Sequence, residues 1–272
     1  MTSGNVTPLN RHHRAGAAST CFDAHCHIID PRFGLVDNHG YRPEPFTIAD
    51  YHRATRGLGI IGGAVVAGSF QGYDQQWLRT TLQELGPGFV GVAQLPFETT
   101  DEEIRSLAEA GVRALRFNLH RGPPTDFGQL EAMAQRCFEL AGWHVELYCD
   151  VRDLAPHQTL LSRLPRGVID HLGLSREGLG TLLALVEAGF KVKASGFGRT
   201  DLDIPATLAA VAERNPHALM FGTDLPSTRA PRAFHADDIG LIRHALGPEE
   251  ARLALRDNAL ALYQPEQAPS TA

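Results

Sequence analysis

The sequence has few cysteines, a modest net charge and no long apolar run, and each shortage excludes a class of protein. Four cysteines occur in 272 residues and none form a CxxC pair, so we expect no disulfide framework and a cytoplasmic location. The net charge of −6 argues against a broad surface for nucleic acid or an anionic membrane. No apolar run approaches the roughly 20 residues that a bilayer-spanning helix needs.

Two common catalytic motifs are also missing. There is no G-x-S-x-G turn to present a serine nucleophile. The glycine-rich stretch GLGIIGG at 57–63 precedes a predicted strand rather than following one, so it does not have the geometry that cradles a phosphate. We interpret this stretch as a helix cap and turn.

The composition predicts one domain between two flexible ends. Residues 1–20 are polar and lack the apolar stretch of a secretory signal, and 265–272 have the composition of a disordered tail. The remaining residues, 21–264, show no break in composition and have the length of one α/β barrel. We therefore expect a leader, a single domain and a tail.

Short β-branched or apolar runs alternate with helical patterns along the domain. The predicted strands are Phe22–Ile28, Gly63–Ala67, Phe89–Gln94, Val112–Asn118, Trp143–Cys149, Val168–His171, Phe190–Ser195 and Ala218–Gly222. The predicted helices begin after Thr47 and at Thr100–Asp101, and cover Gln75–Leu85, Gln129–Leu140, Leu154–Leu164, Gly178–Ala188, Pro205–Arg214, Ala236–Ala245 and Glu249–Tyr263. Eight strand–helix units favour a (β/α)8 TIM barrel over a doubly wound open sheet.

In such a barrel the active site lies at the carboxyl ends of the strands, and alternation along each strand decides which side chains point inward. His25 and His27 are two residues apart in the first strand, so both face one side while Cys26 faces the other. Two inward imidazoles suit a metal ion or a polarised carbonyl oxygen. Asp224 follows the eighth strand, which barrel closure places beside the first. This arrangement suits the activation of water.

An arginine is predicted inside the barrel on the fourth strand. Leu115 and Phe117 fit against the outer helices, which leaves Arg116 and Asn118 pointing inward. A buried guanidinium needs an anion. The anion is either a substrate carboxylate or a structural partner, for which Glu146 on the next strand is available.

Further polar side chains follow the other strands. Tyr148 is the uppermost inward residue of the fifth strand, and His171 ends the sixth. Ser69 follows the second strand and is placed to hydrogen-bond a ligand. Arg199 follows the seventh strand.

The motifs at these positions resemble the amidohydrolase superfamily, and within it the lactonase branch of the 2-pyrone-4,6-dicarboxylate lactonases. The resemblance runs from Phe22 to about Tyr263. It rests on FDAHCH (22–27), SFQGYD (69–74), GVRALRFN (111–118), GWHVELY (142–148), VIDHLG (168–173), FGTDLP (221–226) and DNALALY (257–263).

The resemblance implies a hydrolase that opens a small lactone by attack of water. Asp224 would be the general base, and His25, His27 and His171 would polarise the lactone carbonyl. The positions that hold substrate carboxylates or the ring correspond to Arg116, Tyr148, Ser69, Arg199 and, as a weaker match, Arg121. The expected partner is an anionic lactone of aromatic or sugar-acid catabolism, with the chain a monomer or homodimer.

The residues leave the metal question open and favour a metal-free reaction. Binuclear members of the superfamily use a lysine or carboxylate at the end of strand four to bridge two metal ions and a histidine at the end of strand five as a ligand. Here strand four ends in Arg116 or Asn118 and strand five in Tyr148, so both groups are missing. A single Zn²⁺ held by His25, His27, His171 and Asp224 remains chemically reasonable, although Arg116 would repel a cation. The alternative functions are a zinc-dependent hydrolase or decarboxylase of the same family and a non-catalytic small-molecule binding protein.

Overall fold

The computed structural model describes residues 20–122 and 125–265, and these form a barrel of eight parallel strands. The strands are β1 (Cys21–Cys26), β2 (Ile60–Val66), β3 (Phe89–Ala93), β4 (Val112–Asn118), β5 (His144–Tyr148), β6 (Gly167–Ile169), β7 (Lys191–Ala194) and β8 (Leu219–Phe221). They are hydrogen-bonded in sequence order. This order confirms the (β/α)8 prediction and excludes the open doubly wound sheet, in which the strand order reverses.

The barrel closes between the carboxyl ends of β1 and β8. The amide of Asp224 donates to the carbonyl of His25, and the amide of His27 donates to the carbonyl of Leu225, both at 2.7 Å. The buried carboxylate of Asp23 accepts from the Thr223 amide at 2.8 Å and hydroxyl at 2.7 Å. This seam holds the two predicted catalytic segments side by side.

Two apolar layers separate the inner and outer faces of the strands. Residues such as Leu115, Phe117 and Phe221 pack with the helices in the outer layer. Residues such as Ala114 and Met220 belong to the inner layer. The alternation predicted for β4 and β8 is therefore confirmed.

The helices cover the outside of the barrel. They are α1 (Ile48–Ala54), α2 (Gln76–Leu85), α3 (Asp101–Glu109), α4 (Phe127–Ala141), α5 (Gln158–Leu161), α6 (Leu179–Glu187), α7 (Ile204–Arg214), α8 (Asp237–Leu246), α9 (Pro248–Arg252) and α10 (Asn258–Tyr263). The predicted start of α3 is confirmed because the Thr100 side chain accepts from the amide of Glu103 at 3.2 Å. Asp126 caps α4 in the same way.

Two predicted helices have a different form in the structure. The predicted helix Leu154–Leu164 is mostly a 3₁₀ segment, Val151–His157, followed by the short α5. Pro156 lies in that segment and has no N–H to donate to an α-helical hydrogen bond. The predicted helix Glu249–Tyr263 is divided into α9 and α10 by a π-turn over Leu253–Asp257.

The sixth strand is also shorter than predicted. β6 ends at Ile169, and His171 begins a 3₁₀ turn with a φ of +52°. This left-handed backbone is uncommon outside glycine and is a local strain. The turn places the His171 ring in the barrel mouth, where the continued strand was expected to place it.

The glycine-rich stretch at 57–63 is only partly a turn. Gly57 and Gly59 have φ of +83° and +73°, as a turn requires. β2 then starts at Ile60, not at Gly63. A Cβ on Gly62 would lie 2.1 Å from the carbonyl oxygen of Gly88, so the strands approach closely here only because the residue is glycine.

All four cysteines are buried and free of disulfides, as expected. No helix in the described ranges is both long and apolar enough to cross a bilayer. The predicted leader and tail lie outside the described residues, apart from Thr20 and Pro265 at their inner edges.

Candidate active site

A cleft opens at the carboxyl ends of the barrel strands. It has about 380 Å³ of empty space, including the part open to solvent, and is lined by His27, Tyr41, Gly68, Ser69, Phe70, Arg116, Asn118, Arg121, Tyr148, His171, Arg199, Thr228 and Arg229. Eight of the ten residues predicted for the site line this cleft. The other two, His25 and Asp224, are fully buried next to it.

Three imidazoles converge on one carboxylate oxygen. The Nε2 atoms of His25, His27 and His171 lie 4.0, 3.8 and 3.8 Å from Oδ1 of Asp224. These distances exceed a hydrogen bond. The four groups therefore surround a point that an additional ligand atom can share.

The opposite ring nitrogen of each histidine is held by the barrel. Nδ1 of His27 lies 2.7 Å from the carbonyl oxygen of Val66. Because a carbonyl only accepts, this Nδ1 carries the proton, and Nε2 of a neutral ring has a free lone pair. Nδ1 of His171 lies 2.9 Å from the hydroxyl of Ser195.

Two charged groups lie beside Nδ1 of His25. The Lys193 ammonium, which only donates, lies 3.2 Å from Nδ1 of His25. Nδ1 also lies 3.4 Å from Oδ1 of Asp170, a carboxylate that only accepts, so the two contacts leave the tautomer of His25 open. Nε2 of His25 faces Asp224 and has no hydrogen-bond partner among the described residues. Burial, followed by the charge of Lys193, lowers the pKa of His25. Burial likewise holds the pKa of His27 and that of His171 well below their ordinary values.

Arg199 binds the carboxylate of Asp224 rather than standing free in the cleft. Its Nε lies 2.6 Å from Oδ2, and its Nη2 lies 3.1 Å from Oδ1 and 2.8 Å from the carbonyl oxygen of Thr228. Such a two-point pair fixes the carboxylate plane. The sequence resemblance implied that Arg199 contacts the substrate. The structure shows that Arg199 also forms an ion pair with Asp224.

Arg116 lies inside the barrel as predicted, but its partner is not Glu146. Nε donates to Asp170 Oδ2 at 2.9 Å, and Nη1 donates to the carbonyl of Ala67 at 2.9 Å. The guanidinium also stacks 5.0 Å above the ring of Tyr148. Asp170 is buried, yet Lys193, His25 and Arg116 together outweigh that burial and hold its pKa well below its ordinary value.

Glu146 belongs to a separate network beneath the histidines. It forms an ion pair with Lys193 and accepts from the Tyr263 hydroxyl at 2.5 Å. His144 contacts it at 3.1 Å. Although burial acts to raise it, Lys193 lowers the pKa of Glu146 to about 2. Arg116 lies level with Glu146 in the strand register, so the register alone suggested the wrong pair.

Two arginines of the cleft have no carboxylate partner within salt-bridge distance in the described part of the chain. Nε of Arg121 is 3.4 Å from the Tyr148 hydroxyl. Arg229 donates to Asn38 and stacks 4.0 Å above the ring of Tyr41. Arg229 and Tyr41 were not predicted from the sequence, because both lie in loops without a periodic pattern. The motif FGTDLP ended just before Arg229, which was the nearest available signal.

The donor atoms of the site also fit a single metal ion. Nε2 of His25 and His171 and an oxygen of Asp224 lie within 4.8 Å of one another. The hydrogen bond from His27 Nδ1 to a backbone carbonyl is the outer contact that metal-bound histidines usually make. A second group, His25, Glu146 and Asp170, already contacts the Lys193 ammonium.

Comparisons with known proteins agree with this fold. A family model described as amidohydrolase matches residues 22–264. A 2-pyrone-4,6-dicarboxylate hydrolase of Comamonas testosteroni is 28% identical over 280 residues, covering 90% of each chain. A D-galactarolactone isomerase of Agrobacterium fabrum is 28% identical over 236 residues, covering 79% of this chain and 80% of the relative. A solved Pseudomonas putida structure, provisionally named a 2-pyrone-4,6-dicarboxylic acid hydrolase, has a TM-score of 0.76 at 26% identity and covers 92% of this chain and 99% of that one.

Proposed function

The chain belongs to the amidohydrolase family, and from this premise we propose that it hydrolyses a small lactone that carries two carboxylate groups. Family membership confirms the predicted hydrolase class. The named activities of the Comamonas and Agrobacterium relatives both involve lactones or cyclic esters. The observation that carries the proposal is the pair of arginines, Arg121 and Arg229, that line the cleft without a carboxylate partner in the described ranges.

The charge balance of the cleft supports a doubly anionic substrate. Arg116 and Arg199 are each neutralised by an aspartate, while Arg121 and Arg229 leave two positive charges facing the cavity. A guanidinium binds a carboxylate through two parallel hydrogen bonds. A substrate with two carboxylates would complete this balance, and Ser69, Asn118 and Tyr148 would orient its ring.

Asp224 is the proposed base for the attacking water. Oδ1 would take a proton from water, whose oxygen forms a bond to the lactone carbonyl carbon. The tetrahedral intermediate then breaks its ring C–O bond, and the proton passes from Asp224 to the leaving oxygen. The ion pair with Arg199 keeps Oδ1 directed at the three histidines during this exchange.

Each of the three histidines has its own proposed role. His25 would carry its proton on Nε2 and donate a hydrogen bond from it to the developing oxyanion of the carbonyl. His27 presents a lone pair at Nε2 and would accept a hydrogen bond from the water. His171 would donate from Nε2 to the same carbonyl oxygen as His25, which requires its Nδ1 to accept a hydrogen bond from the Ser195 hydroxyl.

The decisive experiment compares 2-pyrone-4,6-dicarboxylate with unsubstituted 2-pyrone, which lacks both carboxylates. We expect the protein to hydrolyse the dicarboxylate, with the rate measured from the loss of its ultraviolet absorbance. The kcat/KM for the neutral pyrone should be at least 10²-fold lower, because each lost charge-assisted contact costs about 1.5–3 kcal/mol. Equal rates on both compounds would contradict the proposal. The rate of hydrolysis of D-galactarolactone is also measured, as an example of a lactone derived from a sugar acid.

The convergence of Nε2 atoms on Asp224 favours one second candidate, a mononuclear zinc hydrolase or decarboxylase. His25, His27, His171 and Asp224 would hold the ion, which would supply Lewis-acid polarisation of the substrate. We favour the metal-free reaction because Arg199 already binds both oxygens of Asp224 and places a cation beside them. Metal analysis and activity after exhaustive chelation separate the two: stoichiometric Zn²⁺ with loss of activity on its removal establishes the second candidate.

A further inference from the structure

A second depression, here called the side groove, adjoins the catalytic cleft. It has about 980 Å³ of empty space, including the part open to solvent, and is lined by Val36, Asn38, Ser69, Gly72, Tyr73, Gln94, Leu95, Phe97, Arg116, Phe117, Asn118, Gly122 and Thr125. By the same measure it is more than twice the size of the cleft. The groove therefore has room for a group as large as an aromatic ring.

The side groove is apolar and carries an unusual share of exposed apolar surface. Three large hydrophobic residues in the described ranges are strongly exposed: Val36 at 48%, Tyr73 at 51% and Ile61 at 47%. Val36 and Tyr73 line the groove, and Ile61 does not. Phe97 and Phe117 stack with ring centres 6.0 Å apart on its wall. Grouped exposed apolar residues of this kind mark binding surfaces, whereas isolated ones are ordinary.

The groove is continuous with the catalytic cleft through shared residues. Ser69, Arg116 and Asn118 line both cavities. Arg116 is the one charged residue among the described residues that line the groove, and it lies at the junction. Its charge is already paired with Asp170. The groove therefore offers no free cation for a second anionic group from the described part of the chain and suits an uncharged one.

From this geometry we infer that the side groove is a substrate subsite that binds an apolar substituent of aryl size on a molecule whose carboxylates lie in the arginine-lined cleft. The inference rests on the proposed function, since it uses the same cleft to hold the anion. It narrows the substrate class to carboxylate-bearing lactones with an apolar side group. The substituent would pack between Tyr73, Val36 and the Phe97–Phe117 pair.

Calorimetric binding of succinate and 2-phenylsuccinate tests the subsite without requiring turnover. Both compounds carry two carboxylates, and only the second carries a phenyl ring. We expect 2-phenylsuccinate to bind about tenfold more tightly, because covering roughly 60 Å² of apolar surface corresponds to about one power of ten in Kd. Equal or weaker binding of 2-phenylsuccinate would overturn the subsite and leave the anionic cleft standing. Failure of both compounds to bind would overturn the cleft and the subsite together.

Variants locate the phenyl ring. Val36→Asp and Tyr73→Asp place a carboxylate in the groove, so each should abolish the preference for 2-phenylsuccinate while succinate affinity changes less than about twofold. Ile61→Asp is the matched control, because Ile61 is an equally exposed apolar residue outside the groove, and it should keep the full preference. A preference that survives both groove variants, or is lost equally in the control, would contradict the assignment.

Discussion

The Arg199 guanidinium and the Asp224 carboxylate form a two-point ion pair that leaves Oδ1 facing three imidazole Nε2 atoms. Asp224 has a φ of +58°, so the backbone itself is held in an uncommon conformation at this point. The pair thus fixes both the plane of the proposed base and the direction of its reactive oxygen.

Replacement of Asp224 by asparagine tests its role as the base. The asparagine side chain is nearly isosteric but cannot take the proton from water, so kcat should fall about 10²- to 10⁴-fold, the usual share of acid–base catalysis. Circular dichroism should show a folded protein. A variant that retains the wild-type kcat would remove Asp224 from the mechanism.

Arg116 and Arg121 should separate into structural and substrate-binding roles. Arg116→Met leaves Asp170 buried without its guanidinium, so the free energy of unfolding should fall by about 3–5 kcal/mol. Arg121→Met breaks no carboxylate pair among the described residues and should leave stability nearly unchanged while raising KM for a dicarboxylate. Urea denaturation and steady-state kinetics on both variants provide the measurement. Loss of stability in Arg121→Met, with none in Arg116→Met, would reverse the assignment.

Lys193 is expected to be essential for the buried network. Lys193→Met leaves Glu146 and Asp170 without the ammonium that contacts both, so about 3–5 kcal/mol of stability should be lost. The double variant Lys193→Met, Glu146→Gln should recover part of this loss because it removes one unpaired charge. Lys191→Met on the same strand is the control and should change stability by about 0.5 kcal/mol or less. A single variant as stable as the control would contradict the network.

Stability should fall as the pH drops below about 6.5, and His144 contributes to this fall. Burial lowers the pKa of His144, while its hydrogen bond to the Glu146 carboxylate acts to raise it. Between its ordinary pKa of about 6.5 and the lower folded value, the unfolded chain binds a proton that the folded chain does not, so acid favours unfolding.

His144→Gln removes that contribution and should flatten the dependence by at most about 1.4 kcal/mol per pH unit. The measurement is the free energy of unfolding of both proteins at about pH 7.5, 6.5 and 5.5, which spans the ordinary histidine pKa. The other buried histidines are present in both proteins and cancel in the comparison. Identical slopes for wild type and variant would show that His144 binds protons equally in the folded and unfolded states, which contradicts a lowered folded pKa.

Strand periodicity was sufficient to predict the barrel and the inward side chains of β4 and β8. It failed where the chain leaves regular geometry, as at His171, whose left-handed turn has no sequence signature other than the neighbouring glycine. It also failed at the 3₁₀ segment that contains Pro156. The predicted residues nevertheless came together, because the carboxyl ends of all eight strands meet at one rim.

Ion-pair partners could not be predicted from adjacent strands. Arg116 and Glu146 lie level in neighbouring strands, yet Lys193 from β7 reaches Glu146 across the barrel and Arg116 turns to Asp170. In a closed barrel, inward side chains from non-adjacent strands compete for the same space. The outcome depends on side-chain length and on fixed acceptors such as the Ala67 carbonyl.

The proposed activity should depend on the closure of the barrel between β1 and β8. The amides of His27 and Asp224 are bonded across this seam, as is the Asp23–Thr223 pair, so residues of the proposed catalytic group also hold the barrel closed. A fluctuation that parts the two strands separates Asp224 from His25 and His27, even while every helix remains intact. Activity should therefore be lost at a lower temperature or denaturant concentration than the helical circular dichroism signal. Hydrogen exchange at the amides of His27 and Asp224 should measure the opening directly.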